Sequence, residues 1–269
     1  MRIRFVHIAS AAALMVTGLA PAAAAEAQAE SQVSVVHGIP GQPVDVYVNG
    51  AKTIEGFQPA TVAGPLSLAG GTYDVALTKP GEPVASAILQ NKTLAVPGGQ
   101  NLTLAAHLDA AGKPVLTAFV NDTSTIAAGQ ARLVVRHTAA APAVDVRAGG
   151  TPVFSGLTNP KEAKADLPAG TVNADVVLAG TATVALGPQN VDLKAGTATI
   201  VYAIGSAEGK TLALAAQTIT GLGGAPHGVP AGQGGLARGS DWRFLFVLLG
   251  IVLLGAVLTG RRVSRHEER

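Results

Sequence analysis

The sequence contains no cysteine. That excludes disulfides, cysteine-ligated zinc, iron–sulfur clusters and thiol catalysis together. Charged residues make up only 13% of the chain and aromatics only 4%. The formal net charge of +2 is an effect of the ends: between positions 26 and 241 there are 12 Lys and Arg against 15 Asp and Glu, a net of −3. With no basic cluster, that body offers no electrostatic footprint for nucleic acid. There is also no Gly-x-Ser-x-Gly elbow for a serine nucleophile and no run of acidic residues suited to a calcium loop. Gly70-Gly71 and Gly98-Gly99 lack the strand-to-helix setting of a phosphate loop and read as turns.

What is present starts with the two ends of a 269-residue chain, long enough for one or two domains with real cores. Arg2 and Arg4 precede an apolar run from Ile8 to Ala20, and Pro21 with Ala22–Ala25 supplies small residues. This is the layout of a secretory signal peptide, residues 1–25, with cleavage before Glu26. At the other end, Phe244 to Gly260 holds 17 residues without a charge, flanked by Trp242 and Arg243 on one side and by Arg261, Arg262 and Arg265 on the other. Residues 242–260 are expected to form a transmembrane helix and 261–269 a cytoplasmic basic tail, a type I topology. The ending is similar to a cell-wall sorting tail, but no LPxTG-type motif precedes it, so a retained anchor is expected. Residues 220–241, with eight glycines in 22 positions, read as a flexible stalk.

The body matches itself at an offset near 100. Val33-Ser34-Val35-Val36-His37 aligns with Leu133-Val134-Val135-Arg136-His137, and Val44-Asp45-Val46 with Val144-Asp145-Val146. The offset slips to 99 at Leu68-Ala69-Gly70-Gly71-Thr72 and Leu167-Pro168-Ala169-Gly170-Thr171, and to 97 at Gly112-Lys113 and Gly209-Lys210. Ordered matches with monotonic slippage indicate two copies of one domain, 31–121 and 131–219, rather than a solenoid. Period-two alternation, as in Val44–Val48, Tyr73–Leu77 and Leu102–His107, together with turn residues every 8 to 15 positions, predicts about seven short strands per copy. The expected fold class is all-β: two tandem sandwiches, with a small closed barrel as the alternative. The short polar joint Asn121–Gln130 suggests that they lie end to end. The Asn-x-Thr sequons at Asn91, Asn101 and Asn121 read as chance in a composition of bacterial character.

The pattern of an apolar strand ending in His, then a loop, then Pro and Val-Asp-Val, resembles the bacterial domain family of unknown function numbered 4397. It is carried here by His137-Thr138-Ala139-Ala140-Ala141-Pro142-Ala143-Val144-Asp145-Val146, and by His37 through Pro43 followed by Val44-Asp45-Val46-Tyr47. The resemblance spans residues 31–219. It implies an Ig-like or prealbumin-like β-sandwich on a bacterial envelope protein, and it implies no activity.

His37 with Asp45, and His137 with Asp145, form the one polar constellation found in both copies. Paired imidazole and carboxylate suit a general base or part of a metal site. Equally, a His closing one strand and an Asp opening the next can hold the backbone of a Pro-containing loop. One His per copy falls short of the three or four ligands of a metal centre, and His107 and His227 have no counterparts. These four residues are therefore the candidate ligand-binding positions, with loop support as their expected use. Of the aromatics Tyr47, Phe57, Tyr73, Phe119, Phe154 and Tyr202, only Tyr47 and Tyr73 suit an exposed platform, and core or rim packing is the expectation even there. The functional expectation is a membrane-anchored surface module for binding, adhesion or envelope scaffolding. Its partner would be an envelope protein or glycan, with no cofactor and no metal. The alternatives are an envelope enzyme or metal-binding protein using the His/Asp pairs, and an accessory subunit of a larger membrane complex.

Overall fold

Alternating apolar positions and closely spaced turn residues give sixteen strands in a computed structural model that describes residues 29–224. The expected signal peptide, the transmembrane helix, the basic tail and all of the stalk beyond residue 224 lie outside the described residues. Within these, no helix is long and apolar enough to cross a membrane. The first half comprises β1 (Glu30–His37), β2 (Val44–Val48), β3 (Ala51–Phe57), β4 (Val62–Ala69), β5 (Gly71–Thr78), β6 (Leu89–Val96), β7 (Asn101–Leu108) and β8 (Pro114–Val120). The second comprises β9 (Gln130–His137), β10 (Val144–Ala148), β11 (Thr151–Leu157), β12 (Glu162–Pro168), β13 (Gly170–Leu178), β14 (Val184–Leu193), β15 (Ala198–Ile204) and β16 (Ala213–Ile219). Each half therefore has eight strands rather than seven.

Sequence chemistry sets the hairpins. Asn49 and Gly50 have φ of 49° and 79°, and Gly149 and Gly150 have 56° and 82°. Two consecutive left-handed residues make the turn whose twist matches the flanking strands, which is why Asn-Gly and Gly-Gly stand there. The strand order of one half repeats in the other: β4-β1-β7-β8 and β3-β2-β5-β6, then β12-β9-β15-β16 and β11-β10-β13-β14. Pairs are antiparallel except β1 with β7 and β9 with β15, which are parallel. In each half the two sheets enclose an apolar core. One is built on Val33, Val35, Val46, Leu77, Leu94 and Leu104, the other on Leu133, Val135, Val146, Val176 and Leu193. These are open sandwiches, not barrels.

The halves do not lie end to end. The faces of β1, β7 and β8 that point away from the first core meet the corresponding faces of β9, β15 and β16, so the four sheets stack as layers. Val36, Ala105 and Phe119 pack there with Val134, Ile200, Tyr202, Ile204 and Ala215. Small meets large: Ala105, at the position that Tyr202 occupies in the other half, lies in the same cluster as that tyrosine. A Cβ on Gly38 would come within 2.9 Å of Ile204 Cγ2, so the close approach needs glycine at this position.

Polar groups in this contact are matched across it. Gln217 Nε2 donates to Ser34 Oγ at 3.1 Å, and Gln217 Oε1 accepts from Thr103 at 2.9 Å. Arg136, 1% exposed, donates to Glu162 at 2.8 Å, to Tyr202 at 2.7 Å and to Asn121 Oδ1 at 2.9 Å, with its guanidinium carbon 4.4 Å from the centre of the Phe119 ring. A charge this deep is tolerated because every arm has a partner. Asn121 also donates to Asn101 at 2.6 Å, so that sequon is buried in the junction.

The joint between the halves is pinned as well. Ile126, fully buried, packs on Ala198 and Leu222, and its N–H donates to Leu222 O at 2.7 Å. Continuous burial across the junction predicts that the two sandwiches unfold in one cooperative urea transition. Phe119→Ala should lower stability by about 3–5 kcal/mol. Two resolved transitions in the unmodified chain would contradict the coupling.

Candidate functional site

The four candidate residues sit at equivalent places in the two sandwiches. Each His closes the first strand of its half and each Asp is the second residue of the next strand. His37 is fully buried, and its Nε2 lies 3.0 Å from Gln42 O; His137 is 1% exposed, with Nε2 2.9 Å from Pro142 O. A carbonyl can only accept, so both imidazoles carry hydrogen on Nε2. The other ring nitrogen is then an acceptor. In His137, Nδ1 receives the Ala139 N–H at 3.4 Å, whereas the buried Nδ1 of His37 has no partner.

The aspartates do related work on two segments at once. Asp45 Oδ1 accepts the Gly56 N–H at 2.8 Å and Oδ2 the Gly81 N–H at 2.9 Å. Asp145 repeats this with Gly156 at 2.7 Å and Gly180 at 2.9 Å. Ladder pairing slips beside each Asp, between Val44 and Val46 and between Val144 and Val146. The carboxylate supplies the acceptor that the broken ladder cannot, and it ties the bulged β3 or β11 to the turn after β5 or β13. Asp45 also binds Lys52 at 2.7 Å. Proline stands at 152, the matching register position of the second half, and so Asp145 lacks that cation.

Neither imidazole is hydrogen-bonded to its aspartate, and among the described residues no group of three or more His, Asp or Glu is placed to hold a metal. The His and Asp of each half thus act separately, each His on the loop that follows it and each Asp on a bulged strand and a turn. Tyr47 and Tyr73 are half-buried, with hydroxyls donating to Glu82 O at 3.1 Å and Ala69 O at 2.7 Å, and Tyr73 packs on the first core.

Sequence reasoning passed over His107. It is fully buried, its Nδ1 lying 2.9 Å from Leu108 O and its Nε2 2.8 Å from Thr117 Oγ1. It stands beside the second half at the end of the stack where His37 and His137 also lie, next to Gly38. Nearby, Asn159 of the second half donates to Leu108 O at 2.8 Å and Ala139 O at 2.6 Å. The available signal was a lone imidazole within an alternating strand, which does not announce a partner domain.

Burial lowers the pKa of His37, His107 and His137 below the ordinary 6.5. The hydrogen bond from Lys52, reinforced by the Gly56 and Gly81 amides, holds Asp45 down at about 2. Asp145 is lowered by Gly180 and Gly156 alone.

A family model described as "Domain of unknown function (DUF4397)" matches residues 31–147. That span takes in the whole first sandwich and the opening of the second, including both His and both Asp candidates. The chain is similar to this domain family there, in agreement with the motif-level resemblance over those residues; 148–219, the rest of the span read from the sequence, lies outside the match. No curated protein matches the chain.

These environments fix a pH response. Below 6.5 the unfolded chain takes up protons that the buried imidazoles resist, so stability falls as pH falls through that value. A second loss follows from 3.8 down to about 2 as Asp45 protonates, because its folded form prefers the charged state. Urea midpoints measured from pH 8 to pH 2 should fall in both windows. Asp45→Ala should lower the midpoint at pH 7 more than Asp145→Ala, since only Asp45 has Lys52. Equal losses would show that the cation adds nothing.

Proposed function

We propose that this protein is a membrane-anchored module of a bacterial cell envelope that binds or scaffolds an envelope protein or glycan and catalyses no reaction. The observation that carries this reading is the use of His37, Asp45, His137 and Asp145: in both halves these side chains hold the backbone of loops, turns and a bulged strand. A chain whose one repeated polar constellation serves architecture is suited to presenting surfaces. The secretory layout of residues 1–25, the apolar run at 242–260 and the basic tail support export with retention at the membrane. The shared strand order of the halves supports a second copy of the same domain at 131–219. Two linked copies offer avidity to a repetitive partner.

The test uses the full chain in two settings. In intact spheroplasts, external protease should reach residues 26–241; complete protection would overturn the exported topology. In nanodiscs, the immobilised chain should retain a cell-wall glycan or envelope protein saturably, and His37→Gln with His137→Gln should leave that retention intact at a temperature where the variant is folded. Failure to retain either, together with a hydrolytic or metal-binding signal that the double variant abolishes, would overturn the binding reading in favour of an enzyme or metal protein.

A further inference from the structure

The two cores are not equally filled. The strand registers define equivalent positions: Tyr73 faces Leu94 where Val172 faces Val191, and Val48 faces Val75 where Ala148 faces Ala174. By the same logic Leu77 corresponds to Val176 and Leu104 to Val201. All six positions are smaller in the second sandwich. Replacements in the other direction are fewer: Val33 to Leu133, Val96 to Leu193 and Ile54 to Phe154. The outcome is a cavity of about 40 Å³ in the second core, against about 10 Å³ in the first. Its wall is almost wholly apolar, so ordered water has too few partners to be held there.

The cavity is not isolated. Along the open side between β14 and β15–β16 runs a groove of about 320 Å³, which shares Gln189, Val191, Val201 and Leu214 with the cavity wall. Gln189 stands at an inward register position opposite Ala174, yet it is exposed. Thr199 also lines the groove, where the first half places Leu102 in its core. Thr199 is 7% exposed, and its hydroxyl, with no hydrogen bond among the described residues, is not sealed from the groove. A hydroxyl at a core position that opens onto the groove can donate to or accept from whatever the groove holds.

We propose that the second sandwich binds a single-chain amphiphile with an uncharged, hydroxyl-bearing head. The end of its alkyl chain fills the cavity, and its head lies in the groove against Thr199, Gln189 and Asn190. The head is uncharged because Asp192 lines the groove, and the one cation of the combined wall, Arg147, is held by Asp175. An anionic head would find a carboxylate and no free positive charge. This inference goes beyond the envelope-module reading and does not depend on it.

The probe is 1-monodecanoylglycerol, with decanoate and xenon as comparisons. They are titrated into the full chain in nanodiscs and followed by ¹³C-methyl resonances of Val and Leu. Saturable shifts are expected at Val172, Val176, Val191 and Val201, while Val75, Leu94 and Leu104 of the first sandwich stay unmoved. Refilling the core with the first half's side chains, Ala174→Val with Val191→Leu, should weaken the glyceride at least tenfold and raise the thermal midpoint. Ala148→Val alone, with a smaller loss, serves if the double variant does not fold. Thr199→Val should weaken the glyceride without blocking xenon. No shift, equal shifts in both sandwiches, undiminished binding by the refilled chain, or entry of xenon without the glyceride each overturns the proposal. Decanoate binding as tightly as the glyceride overturns the uncharged head.

Discussion

The contact between the inner sheets governs the rest of the molecule. A four-stranded sheet has two faces, and in β1, β7, β9 and β15 both are buried. One face closes a sandwich core and the other meets the opposite half. Apolar burial supplies the drive, but the polar atoms set the geometry, because Arg136, Asn121, Gln217, Thr103 and Ser34 satisfy one another only in this alignment. A sliding shift of one sheet over the other would take Asn121 from the Arg136 guanidinium and Ser34 and Thr103 from Gln217, stranding buried polar groups at a cost of about 1–3 kcal/mol each. The junction is therefore specified rather than merely sticky.

The repeated His and Asp occupy the opposite role from the one their chemistry first suggests. Each sits where the ladder is interrupted, and each converts an unsatisfied backbone group into a hydrogen bond. The Asp is the more demanding of the two, since it joins a bulged strand to a distant turn in both halves. The apolar hollow of the second core has a different origin. It arises from several modest truncations spread over β10, β13, β14 and β15, with Thr199 replacing a core leucine at its edge.

Much of the fold is legible in the chain. The 100-residue offset and the Asn49-Gly50 and Gly149-Gly150 turns point to two all-β halves, and the His-loop-Asp spacing points to loop support. Two features were hidden for physical reasons. The outer face of β7, with Thr103, Ala105 and His107, has the composition of a solvent face, because a junction built on matched polar groups uses the same residues as a wet surface. The uninterrupted Leu133-Val134-Val135 of β9 did carry the mark of a strand buried on both faces, but Arg136 after it masked that mark, its partners Glu162 and Asn121 being distant in sequence. The uneven cores become visible only once strand registers pair Tyr73 with Val172 and Leu94 with Val191.

The direction of the chain through the stack has a mechanical consequence. Ala29 receives hydrogen bonds from Gly70 and Gly99, and Gly224 donates to Ile126 beside the start of β15. Both ends of the described chain thus emerge where β1, β7, β9 and β15 begin. The loops that follow His37, His107 and His137 lie at the far end. A load applied between Gly224 and those loops runs along the strands, so the hydrogen bonds of each ladder are strained together in shear instead of being peeled one at a time. The stack is oriented to resist being pulled from its distal tip.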